Sequence, residues 1–180
     1  MRDVVAWLFM SLDGVVEAPE NWVLPDEDMF RMIENDYATA DALLLGRRTY
    51  DVFAASWPQR GSDVPNADWM NNVAKFVVST TLSSPEWNNT TVLTEDLETT
   101  VTELKGRHGK NIMVNGSATL VASLLSAGLL DRLTLYIHPV LLGSGARLFA
   151  EGQAQVPLEL VESKPLTTGV NAVVYRPTAT

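Results

Sequence analysis

The run Ala42-Leu43-Leu44-Leu45 stops at Gly46 and gives way at once to Arg47-Arg48-Thr49, where a helix is expected to continue to about Ala55. An apolar run without polar alternation reads as a strand covered on both faces, because alternation is needed only where one face meets water. Such a strand commits the chain to a sheet with helices on each side. Val4–Ser11, Phe76-Val77-Val78, Thr91-Val92-Leu93 and Ile112-Met113-Val114 read as further strands. Met29, Phe30, Ile33 and Tyr37 recur at helical spacing as one apolar face. Leu97, Val101 and Leu104 mark another helix, and Leu120, Leu124 and Leu125 a third that ends at Gly128. Pro58 to Asn72 reads as a polar connector. Arg132–His138 then alternates, and Leu158–Val161 with Val170–Tyr175 reads as a hairpin through Thr167-Thr168-Gly169. The expectation is one α/β domain over residues 1–180, its sheet parallel early and mixed at the end.

Charge and composition remove several function classes. Hydrophobic residues make up 46% and charged ones 19%, which excludes disorder and coiled coil. With 13 basic and 22 acidic residues the formal charge is −9, a field that repels phosphate backbones and disfavours nucleic-acid binding. There is no cysteine, and with only His108 and His138 no multi-histidine metal site is expected. Val4–Met10 is too short to cross a bilayer and lies between Asp3 and Asp13, so no membrane partner and a cytoplasmic location are expected.

Three strand ends share one character: Gly46-Arg47-Arg48-Thr49, Ser79-Thr80-Thr81 and Asn115-Gly116-Ser117-Ala118-Thr119. Each leads from apolar residues into small or hydroxyl ones, and the first and third open helices. Ligands of such sheets bind at the carboxyl ends of strands. A helix N-terminus offers unpaired N–H groups and partial positive charge, which suits a phosphate. Two adjacent guanidinium groups fit a phosphomonoester, the feature that separates NADPH from NADH. Solvated surface arginines and ordinary turns are the plainer explanation of each part alone.

The stretch Ala42 to Tyr50 resembles the strand-to-helix signature of the dihydrofolate reductase-like superfamily. Asn115-Gly-Ser-Ala-Thr-Leu120, Leu125-x-x-Gly-Leu129 and Leu135-x-x-x-Pro-Val-Leu-Leu-Gly-x-Gly145 resemble its riboflavin-biosynthesis reductase branch, the C-terminal domain of the bifunctional deaminase-reductase, and Ser11-Leu-Asp-Gly14 fits that branch too. The match runs through nearly the whole chain with no deaminase segment before it, as in a stand-alone form. The resemblance implies a three-layer fold with a mixed, mostly parallel sheet of about eight strands, an NADPH cofactor and a homodimer. It also implies a small heterocyclic or sugar-derived substrate, as for 5-amino-6-(5-phosphoribosylamino)uracil reductase. Arg47 and Arg48 would meet the 2′-phosphate and Thr49 the pyrophosphate. Ser79 and Thr80 would lie beside the adenosine half, Gly116, Ser117 and Ala118 under the pyrophosphate, and Val16 near the nicotinamide. Gly46, Asn115 and Thr119 complete the expected cofactor set, and Asn115 stands where dihydrofolate reductase itself commonly has glycine.

Trp22-Val-Leu-Pro25 followed by acids resembles the segment that carries the active-site carboxylate of dihydrofolate reductase. Counting from that motif points to Glu27 as the proton source. Helical geometry at about 100° per residue points instead to Asp26, beside Phe30, Ile33 and Tyr37, where desolvation would raise its pKa. First-turn acids that complement the helix dipole are a third explanation. Ser11, Asp13 and Trp22 are the expected substrate-side residues. A folate enzyme would need a cation before the third strand, where Lys75 is a weak substitute for an arginine fork. Dihydrofolate reductase activity, or nucleotide binding without turnover, stand as alternatives.

Overall fold

In the computed structural model, which describes residues 1–149 and 151–178, eight strands form one sheet. They are β1 (Val4–Ser11), β2 (Ala40–Gly46), β3 (Ala74–Val78), β4 (Thr90–Leu93), β5 (Asn111–Val114), β6 (Arg132–His138), β7 (Leu158–Pro165) and β8 (Asn171–Pro177). Across the sheet they lie in the order β4-β3-β2-β5-β1-β6-β8-β7. The first six in that row are parallel to their neighbours, and β8 pairs antiparallel with both β6 and β7. The late hairpin is therefore what makes the sheet mixed.

Five helices cover the two faces: α1 (Glu27–Ala38), α2 (Arg47–Ser56), α3 (Ala67–Asn72), α4 (Leu97–Gly106) and α5 (Ala118–Ser126). Alternation along the strands divides the core. Val4 and Ala6 of β1, with Ala42 and Leu44 of β2, pack against Val101 and Leu104 of α4 and Leu120, Val121 and Leu124 of α5. Val5, Leu43 and Leu45 face the other way, onto Met29, Ile33 and Tyr37 of α1, Tyr50 of α2 and Met70 of α3. Each central strand thus feeds both layers, which is why its sequence is apolar without alternation.

Three sequence expectations are corrected. The segment from Pro58 to Asn72 is not a plain connector: a 3-10 turn spans Trp57–Gln59, and α3 buries Ala67 and Met70 one turn apart. Only two residues of that short helix are buried, too few for a visible period. Phe30 does not join the buried stripe of α1 but is 45% exposed in its first turn. The third strand begins at Ala74 rather than Phe76 and carries a fully buried lysine.

That residue, Lys75, is held without an acid. Its ammonium donates to the carbonyls of Asn88 at 2.9 Å, Val73 at 3.0 Å and Asn71 at 3.3 Å. It also lies 4.4 Å from the centre of the Trp87 ring, whose face attracts cations. Burial pulls its pKa down to about 8, so the group is still largely charged at neutral pH. All three donors are used, so Lys75 is a clamp between β3 and the loop before β4, and it has no donor left for a folate tail. Lys75→Met keeps the stem but strands three carbonyls, and it is expected to cost about 2–4 kcal/mol in chemical denaturation.

Candidate active site

Strands β2 and β5 are neighbours, yet the helices that follow them go to opposite faces: α2 joins the layer of α1, and α5 the layer of α4. A crevice opens at the carboxyl ends of adjacent strands where the crossovers part in this way. Gly46 ends β2 at its floor. A side chain there would begin 2.7 Å from the Ser117 hydroxyl oxygen, so any other residue would displace the hydroxyl that caps α5. The Gly46 N–H points to the Gly116 carbonyl at 3.5 Å, and the Gly116–Ser117 peptide is cis.

The two helix starts differ in capping. Ser117 caps α5 with its own hydroxyl, which accepts from Leu120 N–H at 3.3 Å. Gly46 has no side chain to offer, and no side chain caps α2. The first-turn N–H groups of α2 are therefore open to an anion. Beside them Arg47 donates to Asp51 at 2.9 Å and reaches the Thr81 hydroxyl at 3.4 Å, which ties the β2 and β3 loops together. Arg48 is exposed and pairs with no acid among the described residues. Thr49 stands over Gly116, its hydroxyl 3.2 Å from where a Cβ would begin. Ser79 is buried and accepts from the N–H groups of Thr81 and Leu82, while Thr80 and Thr119 are exposed. Half-buried Ala118 and Val16 pack against the same apolar cluster. Gly46, Arg47, Arg48, Thr49, Asn115, Gly116 and Ser117 are thus brought to one crevice, with Ser79 and Thr80 at its β3 edge.

The acids at the start of α1 are placed differently from the geometric expectation. Asp26 is not on the helix face; it is the residue before the helix, with φ −146° and ψ 128°. Its carboxylate accepts from Asp28 N–H and Met29 N–H, from Thr168 N–H, and from the hydroxyls of Thr167 and Thr168. Burial pushes its pKa up, but these hydrogen bonds outweigh burial and hold it below the ordinary carboxylate value. The raised pKa expected of a resting acid is absent, because the carboxylate is a cap and a tether to the β7–β8 turn. Glu27 is exposed at the first helical position.

The expected substrate-side residues are largely occupied by each other. The Ser11 hydroxyl donates to Asp13 at 2.7 Å and accepts from Val15 N–H at 2.9 Å. Asp13 also accepts from the N–H groups of Leu142 and Gly143 and faces Arg147 at 3.7 Å. The hydrogen bond from Ser11, then those from Leu142 and Gly143, hold its carboxyl well below the usual range. Trp22 is half-buried, with its indole N–H on the Glu17 carbonyl at 2.8 Å. Its ring stands edge-on to His138, 5.5 Å between centres.

Sequence reasoning passed over His138, Tyr136 and Trp7. His138, fully buried at the end of β6, accepts from Leu24 N–H at 3.2 Å, and burial lowers its pKa. The one available signal was a histidine at the end of an alternating strand. Among the described residues no three His, Cys, Asp or Glu side chains gather to hold a metal, and no helix is long and apolar enough to cross a membrane.

The profile of the RibD C-terminal domain matches residues 2–172. The chain is 29% identical over 181 residues to the uncharacterized protein YyaP of Bacillus subtilis, across 97% of this chain and 94% of that one. Among solved structures it resembles a putative riboflavin biosynthesis protein from Shewanella sp. PV-4, with TM-score 0.77, 19% identity, and 99% and 100% of the two chains covered. It also resembles dihydrofolate reductase from Enterococcus faecalis, solved with NADP(H), with TM-score 0.68, 15% identity, and 98% and 97% coverage. These structural likenesses establish the three-layer dihydrofolate reductase-like fold.

The tether at Asp26 makes a prediction. Asp26→Ala removes the cap of α1 and its link to Thr167 and Thr168, and it is expected to cost about 1–2 kcal/mol in denaturant unfolding. Because the folded pKa is depressed, the carboxylate's stabilisation is complete above its unfolded value near 4 and is lost as pH falls through the folded one. Acid unfolding followed by circular dichroism should therefore show a step in the parent that Asp26→Asn lacks.

Proposed function

We propose, from the premise that this chain belongs to the RibD C-terminal domain family, that it is an NADPH-dependent reductase. Its substrate is a small heterocyclic or sugar-derived molecule with a C=N or C=O bond, as in the riboflavin-pathway reductases. The observation that carries this reading is the uncapped start of α2 with an unpaired Arg48 beside it, in a protein of net charge −9. The residues fit such a cofactor: open N–H groups and a guanidinium suit a phosphomonoester, and the Gly46–Ser117 contact clears the backbone for a pyrophosphate.

Bound NADPH would supply a hydride. The chain's own part is to hold the phosphates at α2 and α5, to place the reacting carbon, and to keep the site dry. Arg48 and Arg47 serve the 2′-phosphate, Thr49, Gly116, Ser117 and Ala118 the pyrophosphate, Ser79 and Thr80 the adenosine edge, and Val16 the nicotinamide side. Asp26, ionised and fully engaged, positions α1, and exposed Glu27 is reachable by water, so the proton that completes reduction is drawn from solvent. Lys75, spent on three carbonyls, speaks against dihydrofolate as the dedicated substrate.

We propose a homodimer through β7. Along this edge strand Leu158, Leu160 and Val161 are exposed, and Phe149 near its start is exposed as well. An unpaired apolar edge is a template for a second strand.

Two outcomes follow. Titration by tryptophan quenching should show NADPH bound in preference to NADH and ATP, and Arg48→Ala should weaken NADPH about 10- to 100-fold while leaving NADH nearly unchanged. Preference for ATP would favour a nucleotide-binding protein without turnover. Sedimentation at micromolar concentration should give twice the 19.7 kDa chain mass, and Leu160→Asp should return it to one.

A further inference from the structure

Among the described residues, five buried side-chain polar atoms have no partner: Trp7 Nε1, Asn115 Oδ1, Arg132 Nε, Tyr136 Oη and His138 Nε2. All five lie in the layer between α1 and the sheet; Arg132, opposite Val5 at the start of β6, is at the amino end, whereas Trp7, Asn115, Tyr136 and His138 lie further along the strands. Trp7 and Tyr136 have ring centres 6.2 Å apart, and Phe9 lies 5.9 Å from Tyr136 and 5.8 Å from His138. Asn115 joins the group through its amide nitrogen, which donates to the Tyr37 hydroxyl at 2.5 Å. Arg132 stands apart from it, in an ion pair with Asp36 in the last turn of α1. Buried polar atoms are nearly always paired, so the four of Trp7, Asn115, Tyr136 and His138 on one side of the layer point to a missing partner.

Their chemistry narrows that partner. His138 accepts at Nδ1 from Leu24, so the neutral ring carries its proton on Nε2 and presents a donor. Trp7 also presents a donor, Tyr136 a hydroxyl of either sense, and Asn115 an acceptor, because its nitrogen is engaged. The walls are aromatic: Trp7, Phe9 and Trp22 are each partly exposed around the group. The charges on this side are already matched. Arg132 pairs with Asp36, Arg147 with Asp13, and Arg31 and Lys164 share Asp28. Asp26 adds a further carboxylate with no cation of its own. These four cations face four carboxylates, so a phosphate dianion would find no unengaged base among them, in contrast to the α2 side with its unpaired Arg48.

We infer that Trp7, Asn115, Tyr136 and His138 form the recognition surface for an uncharged planar ring bearing both hydrogen-bond donors and acceptors, and that the substrate carries no phosphate or carboxylate. The inference rests on the reductase reading for its place beside the cofactor crevice. It departs from the phosphorylated substrate of the riboflavin-pathway reductases.

Matched probes test it by calorimetry on protein saturated with NADP⁺. One pair is 5-amino-6-(5-phosphoribosylamino)uracil and the same compound without its phosphate; the other is dihydrofolate and 7,8-dihydropterin, which lacks the anionic p-aminobenzoylglutamate tail. The uncharged member of at least one pair should bind about 10-fold tighter or more. Tyr136→Phe and His138→Asn, in which the amide oxygen can still accept from Leu24, should each weaken that binding about 10-fold. In the unliganded protein Tyr136→Phe should keep or raise the melting temperature, because it deletes a polar atom that has no partner. Tighter binding of the charged members, binding of no probe, unchanged affinity in both variants, or a clear fall in the melting temperature of Tyr136→Phe would overturn the inference. Absence of NADP⁺ binding is a separate failure, of the reductase reading alone; the same probes are then titrated into cofactor-free protein.

Discussion

Two helices on opposite faces of a sheet start closest together, with their caps in place, where the backbone between them is bare. In this protein that condition falls on Gly46, where any side chain would begin 2.7 Å from the Ser117 hydroxyl oxygen. The contact fixes β2 against β5 and sets the starts of α2 and α5 over one crevice. Each start carries a partial positive charge, so bringing them together is unfavourable until an anion lies between them. The Ser117 cap offsets this at α5, whereas α2 keeps its open N–H groups. A phosphate in the crevice would complete an arrangement that the strand order has already imposed.

The two sides of the crevice are electrostatic opposites, and this separates their tasks. Towards β3 there is a cation without an acid, Arg48, and a second, Arg47, whose one acid is the exposed Asp51 on the next turn of its own helix. Towards α1 the cations are all paired, and the remaining polar atoms are neutral donors and acceptors among aromatic rings. In a chain with an excess of nine acidic charges, holding an anion needs unneutralised base. Only the first side has it. A neutral molecule loses less hydration on burial, so the second side suits one that exchanges water for fixed donors without bringing charge.

Most of the sheet was legible because a strand buried on both faces leaves an unmistakable sequence, as Ala42 to Leu45 does. The crevice was legible too, since glycine and arginine follow such a strand directly and their neighbours in space are neighbours of other strand ends. Asp26 was misplaced for a definite reason: the 100° period applies inside a helix, and a capping residue with extended φ and ψ lies outside it. Its other partners, Thr167 and Thr168, are more than 140 residues away. Lys75 was hidden in the same way, because its acceptors are backbone carbonyls of Asn71, Val73 and Asn88, which no residue type advertises. His138 and Tyr136 face a layer whose other members come from β1, α1 and the loop before it, so their convergence exists only once the sheet has formed.

The frame around the second side also explains why Asp13, the one acid expected on the substrate side, is engaged elsewhere. The loops after β1 and β6 must both end at the crevice, and each alone would be free to move. Leu12 N–H reaches the Val140 carbonyl, Val16 N–H the Ala146 carbonyl, and Leu148 N–H the Gly14 carbonyl. Asp13 accepts from Leu142 and Gly143, and Glu17 from Ala146 N–H at 2.9 Å. Charge-assisted bonds of this kind are stronger than neutral ones, and the depressed pKa of Asp13 keeps its charge in place through the ordinary acid range. The two loops therefore behave as one body. Trp22, bonded to the Glu17 carbonyl and set against His138, is carried on that body. A recognition surface built from neutral groups gains little from long-range attraction, so it depends on being held in shape before the ligand arrives. The carboxylates of Asp13 and Glu17 supply that rigidity by accepting from the loop after β6.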